Sequence, residues 1–383
     1  MEFTGYRRED GRFGVRNHVL VVSSVSCGNG VVEAIGRALP EVVTVTHAYG
    51  CGYGPSDLAV SHRVLSGLMN NPNVGAVLAI GLGCEALKAQ SLATSVQGKP
   101  AEALEIQKEG GSAATIAKGV ETATGLLKAL NAQQRVSAPV SGLVVGLECG
   151  GSDALSGVTA NPAVGAAADR FVAEGATVIL GETTEMIGTA HILKRRCANP
   201  ELGEQVERLV NGCEAQVRAT LGPLAGMVIT PGNIEGGLSS IAEKSLGCIT
   251  KAGTTPIVEL VDYACQPSKR GLVIMDTPGF DIDSMAGFAA GGAQLIVFTT
   301  GRGSIAGFPA VPVVKVASNS RTYNNMPGDM DVNAGSILEE DRTIDGVGRE
   351  IFDLSLRVAG GERTCAEVNR SAPFGYLKQG PTF

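Results

Sequence analysis

Apolar positions in this chain fall into short continuous runs rather than long alternating stretches. The runs lie at residues 18–25, 42–46, 74–80, 142–147, 177–180, 257–260, 272–275, 295–298 and 313–316, with a shorter one near Leu104. Such runs, rich in Val, Ile and Leu and bounded by turn residues, read as strands buried on both faces. Segments with helical spacing separate them. One covers residues 29–39 and stops at Pro40, and one opens at Pro55 and runs to about residue 70. Others cover residues 111–130, residues 161–174 and, with breaks, residues 184–219. Alternation of this kind predicts an α/β fold of two Rossmann-like units with mostly parallel sheets. Residues 131–140 are the most linker-like stretch, so the boundary is expected there. The expected domains are an N-terminal α/β unit over 1–135 and a C-terminal α/β unit over 136–383.

Composition narrows the class. With 44% hydrophobic and 18% charged residues in a chain of 383, the protein has a large core and is not disordered. A formal net charge of −7 argues against nucleic acid as principal partner. No apolar run reaches the roughly 18 residues of a membrane span, and residues 1–10 lack the apolar segment of a signal peptide. The nine cysteines are odd in number and form no C-x-x-C pair. A chain this long needs no disulfide staples, so the reducing cytoplasm is the expected compartment.

Open parallel sheets bind ligands beyond the C-terminal ends of their strands, so the expected site lies there, between the two units. Three cysteines occupy such positions in glycine-flanked loops: Cys51 in Gly50-Cys-Gly-Tyr-Gly54, Cys84 in Gly81-Leu-Gly-Cys-Glu85 and Cys149 in Glu148-Cys-Gly-Gly-Ser152. Singly, each reads as a small buried hydrophobe. Together, they could present three thiolates to a soft metal or an iron–sulfur cluster with one position open. Cys27, after the first strand, is a fourth candidate. Cys197, Cys213, Cys248, Cys265 and Cys365 lack this context and read as structural.

Other residues fit around such a centre. His47, four residues before Cys51, reads equally as a loop histidine or as a ligand or base. His62 and His191 read as structural or solvated. Ser152 and Asp153 could cradle an anion or merely cap a helix. Arg302, between two glycines, reads as an anion clamp or a surface charge, with Ser304 in the same loop. Glu182 and Asp276 also follow strands. Arg7, Arg8, Arg12 and Arg16 read mainly as a solvated face. Neither a P-loop sequence nor an intact G-x-G-x-x-G is present, so nucleotide and nicotinamide chemistry are not supported. A regulatory module that binds a sugar acid without turnover is the rival from another class.

At these motifs the chain resembles the altronate/galactarate dehydratase family, which also contains the large subunit of (2R)-sulfolactate sulfo-lyase. The matching segments are Gly5-Tyr-Arg-Arg-Glu-Asp-Gly-Arg-Phe-Gly-Val-Arg-Asn17, the three cysteine loops and Gly157-Val-Thr-Ala-Asn-Pro162. They continue with Glu243-Lys-Ser-Leu-Gly247, Met275-Asp-Thr-Pro-Gly279, Phe298-Thr-Thr-Gly-Arg-Gly-Ser304 and Asp329-Met-Asp-Val-Asn333. The resemblance implies an iron-dependent lyase that removes water or sulfite from a small anionic 2-hydroxy acid and leaves a 2-oxo acid. On that reading Cys51, Cys84 and Cys149 hold ferrous iron or an iron–sulfur cluster. His47 or Lys244 is the base and Glu85 a proton relay, while Ser152, Asp153, Arg302 and Ser304 orient the substrate. The family's single-chain dehydratases carry a small domain before the Gly-Tyr-Arg segment, which here begins at residue 5. A separate small subunit is therefore the expected partner, in an oligomer. Ala154-Leu155 stands where sugar-acid dehydratases are expected to have Gly and an aromatic, which counts against a sugar-acid substrate.

Overall fold

All ten sequence-predicted strands form in the structure, a computed structural model that describes residues 1–383, the side chains at positions 226 and 227 excepted. Four make the N-terminal sheet, in the order Val43–Val45, His18–Ser23, Val74–Gly81, Ala101–Glu105, all parallel. The C-terminal sheet has seven parallel strands. Their order is Ile257–Val261, Gly271–Met275, Thr177–Leu180, Val144–Cys149, Leu295–Thr300, Val313–Ala317, Val332–Asn333. Both central strands, Val74–Gly81 and Val144–Cys149, are buried almost throughout, as the apolar runs require.

The expected linker is not a plain linker. Val136–Pro139 pairs antiparallel with Glu2–Arg7, which also pairs with Phe13–Gly14, so a small three-stranded sheet ties the start of the chain to the domain boundary. The arginines of this segment are not all a solvated face. Arg8 is buried and donates to the carbonyls of Pro72 and Arg16. Arg16 forks onto Glu367 and donates to the carbonyls of Val358 and Glu362. Arg8 braces the N-terminal segment and Arg16 clamps it to residues 358–367, their guanidinium forks filling carbonyl acceptors that water cannot reach.

Strand alternation sends Val145 and Leu147 into one core, against helices Ala160–Ala173 and Ile344–Ala359. The opposite face of the sheet packs on helix Asp281–Ala290, which lies in turn against helix Pro55–Met69 of the N-terminal domain. Gly67 permits that contact, because a Cβ there would stand 2.5 Å from the Ala290 carbonyl oxygen. Both glycine and alanine sit at or near the C-terminal ends of their helices, and Asp57 and Asp283, near the two starts, both lie close to Tyr49, so the helices run in the same sense. Their starting residues, Pro55 and Asp281, then share one side of the molecule. Pro55 follows the Cys51 loop, and Asp281 lies over Gly150, next to Cys149. The C-terminal edges of the two sheets therefore open onto one shared mouth.

The last residues strap this mouth. Tyr376 is buried with its ring edge-on to His47 at 5.4 Å. The N–H groups of Gln379 and Gly380 donate to Asp57, and that of Phe383 donates to Gly52.

Candidate active site

Cys149 ends its strand with the side chain on the inner face, fully buried. It meets three groups from two other segments. Its thiol donates to Glu185 Oε2 at 2.7 Å, and it lies 3.7 Å from Cys248 Sγ and 3.7 Å from Glu182 Oε1. The Cys149 N–H also donates to Glu182 Oε2 at 3.0 Å. Glu182 holds a left-handed backbone at φ 62° directly after its strand, and Glu185 follows on a short 3-10 turn. Cys248 closes helix Ile241–Cys248, which its N-cap Ser240 starts by accepting the Glu243 N–H.

Two lysines complete the cluster. Lys244 pairs with Glu185, and Lys251 pairs with Glu182, both members of the second pair having no exposed side-chain surface. Lys244 and Cys248 are four residues apart on one face of helix Ile241–Cys248, and Lys251 follows three residues later on the 3-10 turn Ile249–Ala252 that continues it. Burial opposes each ammonium, but the surrounding carboxylates and sulfurs outweigh it and hold both lysines above the usual range. Burial, and then the charge of Glu185, pushes Glu182 up. Glu148 points to the other face of the strand, fully buried, with no partner for either carboxylate oxygen among the described residues. Burial and the adjacent Glu182 push it well up as well. Cys149, Cys248, Glu182 and Glu185 form a buried group with the donor set to hold a metal ion.

The other two expected thiols lie elsewhere. Cys51 and Cys84 are exposed on the edge of the N-terminal sheet, while Cys149 is buried in the second domain. Among the described residues, the three do not gather within 4.8 Å of one another. The reason is strand phase: the residue that ends the apolar run at 149 points inward, onto the helix that carries Cys248. Cys248, read from sequence as structural, belongs to the charged cluster instead.

The two expected bases are not free bases. His47 is buried, its Nε2–H donating to the Ser23 carbonyl at 2.9 Å and its Nδ1 accepting the Tyr49 N–H at 3.2 Å. Burial lowers its pKa from 6.5 to about 4, so the ring is neutral at pH 7. Lys244 is held as an ammonium by Glu185. Glu85 is a turn acceptor: its carboxylate takes the Gly83 N–H at 2.7 Å and the Ser24 hydroxyl at 3.0 Å. Burial opposes its charge, but these donors prevail and hold it below the usual carboxylate range.

Asp153 is likewise occupied internally, accepting from Ser156, Ser318 and Asn319. Ser152 is buried beside it, with its carbonyl accepting from Asn233. Arg302 is half-exposed, its N–H fixed to the Gly151 carbonyl and its guanidinium on the exposed Glu235. The Ser304 N–H donates to the Thr300 hydroxyl in the same loop. Asp276 accepts from the Thr183 hydroxyl and is not part of the buried group. His62 and His191 are exposed.

One consequence for stability follows from His47. The unfolded chain binds a proton at an ordinary histidine pKa of 6.5, whereas the folded ring resists protonation down to about pH 4. Stability from this residue is therefore intact above pH 6.5 and is lost as pH falls, at up to about 1.4 kcal/mol per unit. Urea unfolding between pH 7 and 4.5 should show a shallower acid decline in His47→Gln than in the wild type. Equal slopes would exclude a buried neutral ring.

Comparison with known proteins bears on this geometry. Residues 140–382 match the model of the C-terminal region of D-galactarate/altronate dehydratase, and residues 5–131 match that of the second domain of D-galactarate dehydratase/altronate hydrolase. The chain belongs to the D-galactarate/altronate dehydratase family. Galactarate dehydratase (L-threo-forming) of Escherichia coli is 38% identical over 94% of this chain and 73% of its own length. Altronate dehydratase of Bacillus subtilis is 34% identical over 99% of this chain and 78% of its own. The (2R)-sulfolactate sulfo-lyase subunit beta of Chromohalobacter salexigens is 35% identical over 96% of this chain and 94% of its own. These relatives are all lyases by name, and this member of the dehydratase family is an enzyme of the same class. No helix is long and apolar enough to cross a membrane.

Proposed function

We propose that this chain is the large catalytic subunit of an iron-dependent lyase. It eliminates the C3 substituent of a small 2-hydroxy acid to give a 2-oxo acid, with sulfolactate as substrate and pyruvate and sulfite as products. The observation that carries this reading is the shared mouth. It turns the exposed strand-end thiols of one sheet and the buried thiol–carboxylate–ammonium cluster of the other toward the same side of the molecule. Thiolate donors on glycine loops suit iron. Iron held there would act as a Lewis acid on the substrate's carboxylate and 2-hydroxyl, making the C2 proton acidic enough to remove.

The chain's own residues supply the rest. Lys244 is the cluster's least buried charge, and its ammonium faces negative charge as it develops on the enol. The C2 proton passes to solvent, and the Lys244 ammonium can deliver one at C3 when the enol becomes a ketone and then regain it from solvent. Arg302 is fixed by its backbone to the glycine turn at Gly151 and holds only an exposed partner, Glu235. An exposed pair of that kind contributes about 0–1 kcal/mol, so the guanidinium can leave it for a substrate anion. Arg302→Met should raise KM about tenfold or more, as loss of a charge-assisted pair implies, with kcat and Tm nearly unchanged. A KM within a factor of two of wild type would remove Arg302 from the substrate.

Sulfite is favoured as leaving group by Ala154-Leu155, which departs from the pattern expected of sugar-acid dehydratases. A separate small subunit is the proposed partner, and the free thiols fit a reducing cytoplasm. The second reading, a sugar-acid dehydratase, rests on the 38% identity to galactarate dehydratase. Anaerobic incubation of the iron-loaded protein and small subunit with sulfolactate, altronate and galactarate separates the two. Sulfite with an equal amount of 2-oxo acid supports the first reading. Release of 2-oxo acid from the sugar acids alone supports the second, and release from none of the three would overturn both.

A further inference from the structure

The exposed thiols of the N-terminal sheet number three. The adjacent strands Val43–Val45, His18–Ser23 and Val74–Gly81 lead into loops that carry Cys51, Cys27 and Cys84 respectively. All three cysteines are exposed, and none is in a disulfide. Their loops are tied to one another rather than merely near. The Ser26 N–H donates to the Tyr49 carbonyl at 2.7 Å, which fixes the Cys27 turn to the Cys51 loop. Gly50 makes that approach possible, since its φ is +133° and a Cβ there would stand 2.6 Å from Val25. On the other side, the Ser24 hydroxyl and the Gly83 N–H both donate to the buried Glu85, which fixes the Cys27 turn to the Cys84 loop. Burial, and then the nearby Cys84, Cys27 and Glu85, push the Cys51 thiol up, which places the three cysteines near one another.

The spacing bears on what such a set can hold. Neighbouring strands lie about 4.8 Å apart, so the two outer loops spring from strand ends about 10 Å apart. Among the described residues, these thiols do not come within 4.8 Å of one another as a group, so they do not form a preset cage for one ion. An iron–sulfur cubane is itself several ångströms across and binds thiolates at separate corners. Three thiolates leave one iron without a protein ligand, and this edge of the sheet faces the shared mouth.

We infer that Cys27, Cys51 and Cys84, one from each of three adjacent strand ends, hold a [4Fe–4S] cluster whose fourth iron is open to substrate. Cys149 is not a ligand. This inference rests on the iron-dependent reading above and names the residues that carry it. Glu85 is a positioning residue, holding two of the loops together without touching the cluster.

The test is anaerobic reconstitution of the full chain with ferrous ion and sulfide, followed by desalting. The wild type should retain about four iron and about four acid-labile sulfide, with broad absorption near 400 nm typical of the cluster. Cys27→Ser, Cys51→Ser and Cys84→Ser should each lose most of the sulfide and the absorption while keeping far-UV circular dichroism and Tm. Cys149→Ser should keep the full load. Full iron and sulfide in Cys27→Ser, or loss in Cys149→Ser equal to that in the other three, would overturn the assignment, as would one iron without sulfide in the wild type. Turnover with one iron and no sulfide overturns the cluster but leaves the lyase reading standing. A full cluster with no turnover on any of the three acids supports the cluster and overturns the lyase reading.

Discussion

Lys251→Met should destabilise the folded protein by about 3–5 kcal/mol, the usual cost of removing one partner from a buried ion pair. Lys251 and Glu182 both lie fully out of solvent, and Glu182 also accepts the Cys149 N–H. Methionine fills the volume, so the loss is chiefly electrostatic. It leaves Glu182 beside Glu185 and the unpartnered Glu148 with one fewer positive charge. Lys244 cannot replace it, because it is engaged by Glu185.

The pH dependence gives a second check. Without Lys251, Glu182 has a still higher pKa, so folding takes up a proton that the unfolded chain leaves in water above its ordinary carboxylate pKa. The deficit of the variant should therefore shrink as pH falls toward about 7, where Glu182 of the wild type takes up its own proton, and level off below that. The double variant Lys251→Met/Glu182→Gln should recover most of the loss, since it removes the stranded charge with its partner. Urea unfolding at three pH values reads all of this. A deficit below about 1 kcal/mol at pH 7 would mean that the pair is solvated and that the cluster is not a closed electrostatic unit.

Lys244→Ala should lower kcat by about 10²–10⁴-fold, the range for loss of a positioned proton donor. KM should change by only a few-fold, because the residue acts on charge that develops during the reaction. Lys244 is held protonated above the usual lysine range. The wild-type rate should consequently show no alkaline limb from this residue up to pH 9. Lys244→Arg keeps the charge but not the transferable proton, so the comparison separates field from proton delivery. Full activity in Lys244→Ala would place the residue in structure alone. The charge left on Glu185 also predicts a lower Tm for this variant, which should be measured first so that unfolding is not mistaken for lost catalysis.

The parallel sheets were legible because a strand covered by helices on both faces must be apolar without interruption, and residues 74–80 and 142–147 are. The small antiparallel sheet was not. Glu2–Arg7 has only Phe3 and Gly5 facing inward, and Val136–Pro139 is short and largely exposed, so neither carries a buried-strand signal. The cysteine loops could be seen through their glycines, but which thiols meet depends on strand phase and strand order. Cys149 follows Val145 and Leu147 in phase, a two-residue rhythm that places it in the core. Cys27 follows the strand that lies between those leading to Cys51 and Cys84, a placement set by strand order and not by the local sequence.

The charged cluster leaves only a faint trace in the sequence. Lys244, Cys248 and Lys251 recur at spacings of four and three, the signature of one helical face. A face with two lysines and a thiol would pass for a solvent side, and nothing in the local sequence reveals that Glu182 and Glu185 lie opposite. Those partners are 36 residues or fewer from Cys149, while Cys248 is 99 residues away. Such contacts are made by tertiary packing, not by any element alone.

The side-by-side helices Pro55–Met69 and Asp281–Ala290 make the molecule a caliper. Their heads carry the two jaws of the mouth, the Cys51 loop and the Asp281–Gly150 contact. Their feet touch where Gly67 meets Ala290. A helix of 15 residues is about 22 Å long, so a small wedge at the feet is magnified at the jaws. The gap between the thiol edge and the ammonium cluster can thus be reset by volume at a position that touches neither. A side chain larger than glycine at position 67 is therefore expected to shift the two edges relative to one another from a point that touches neither.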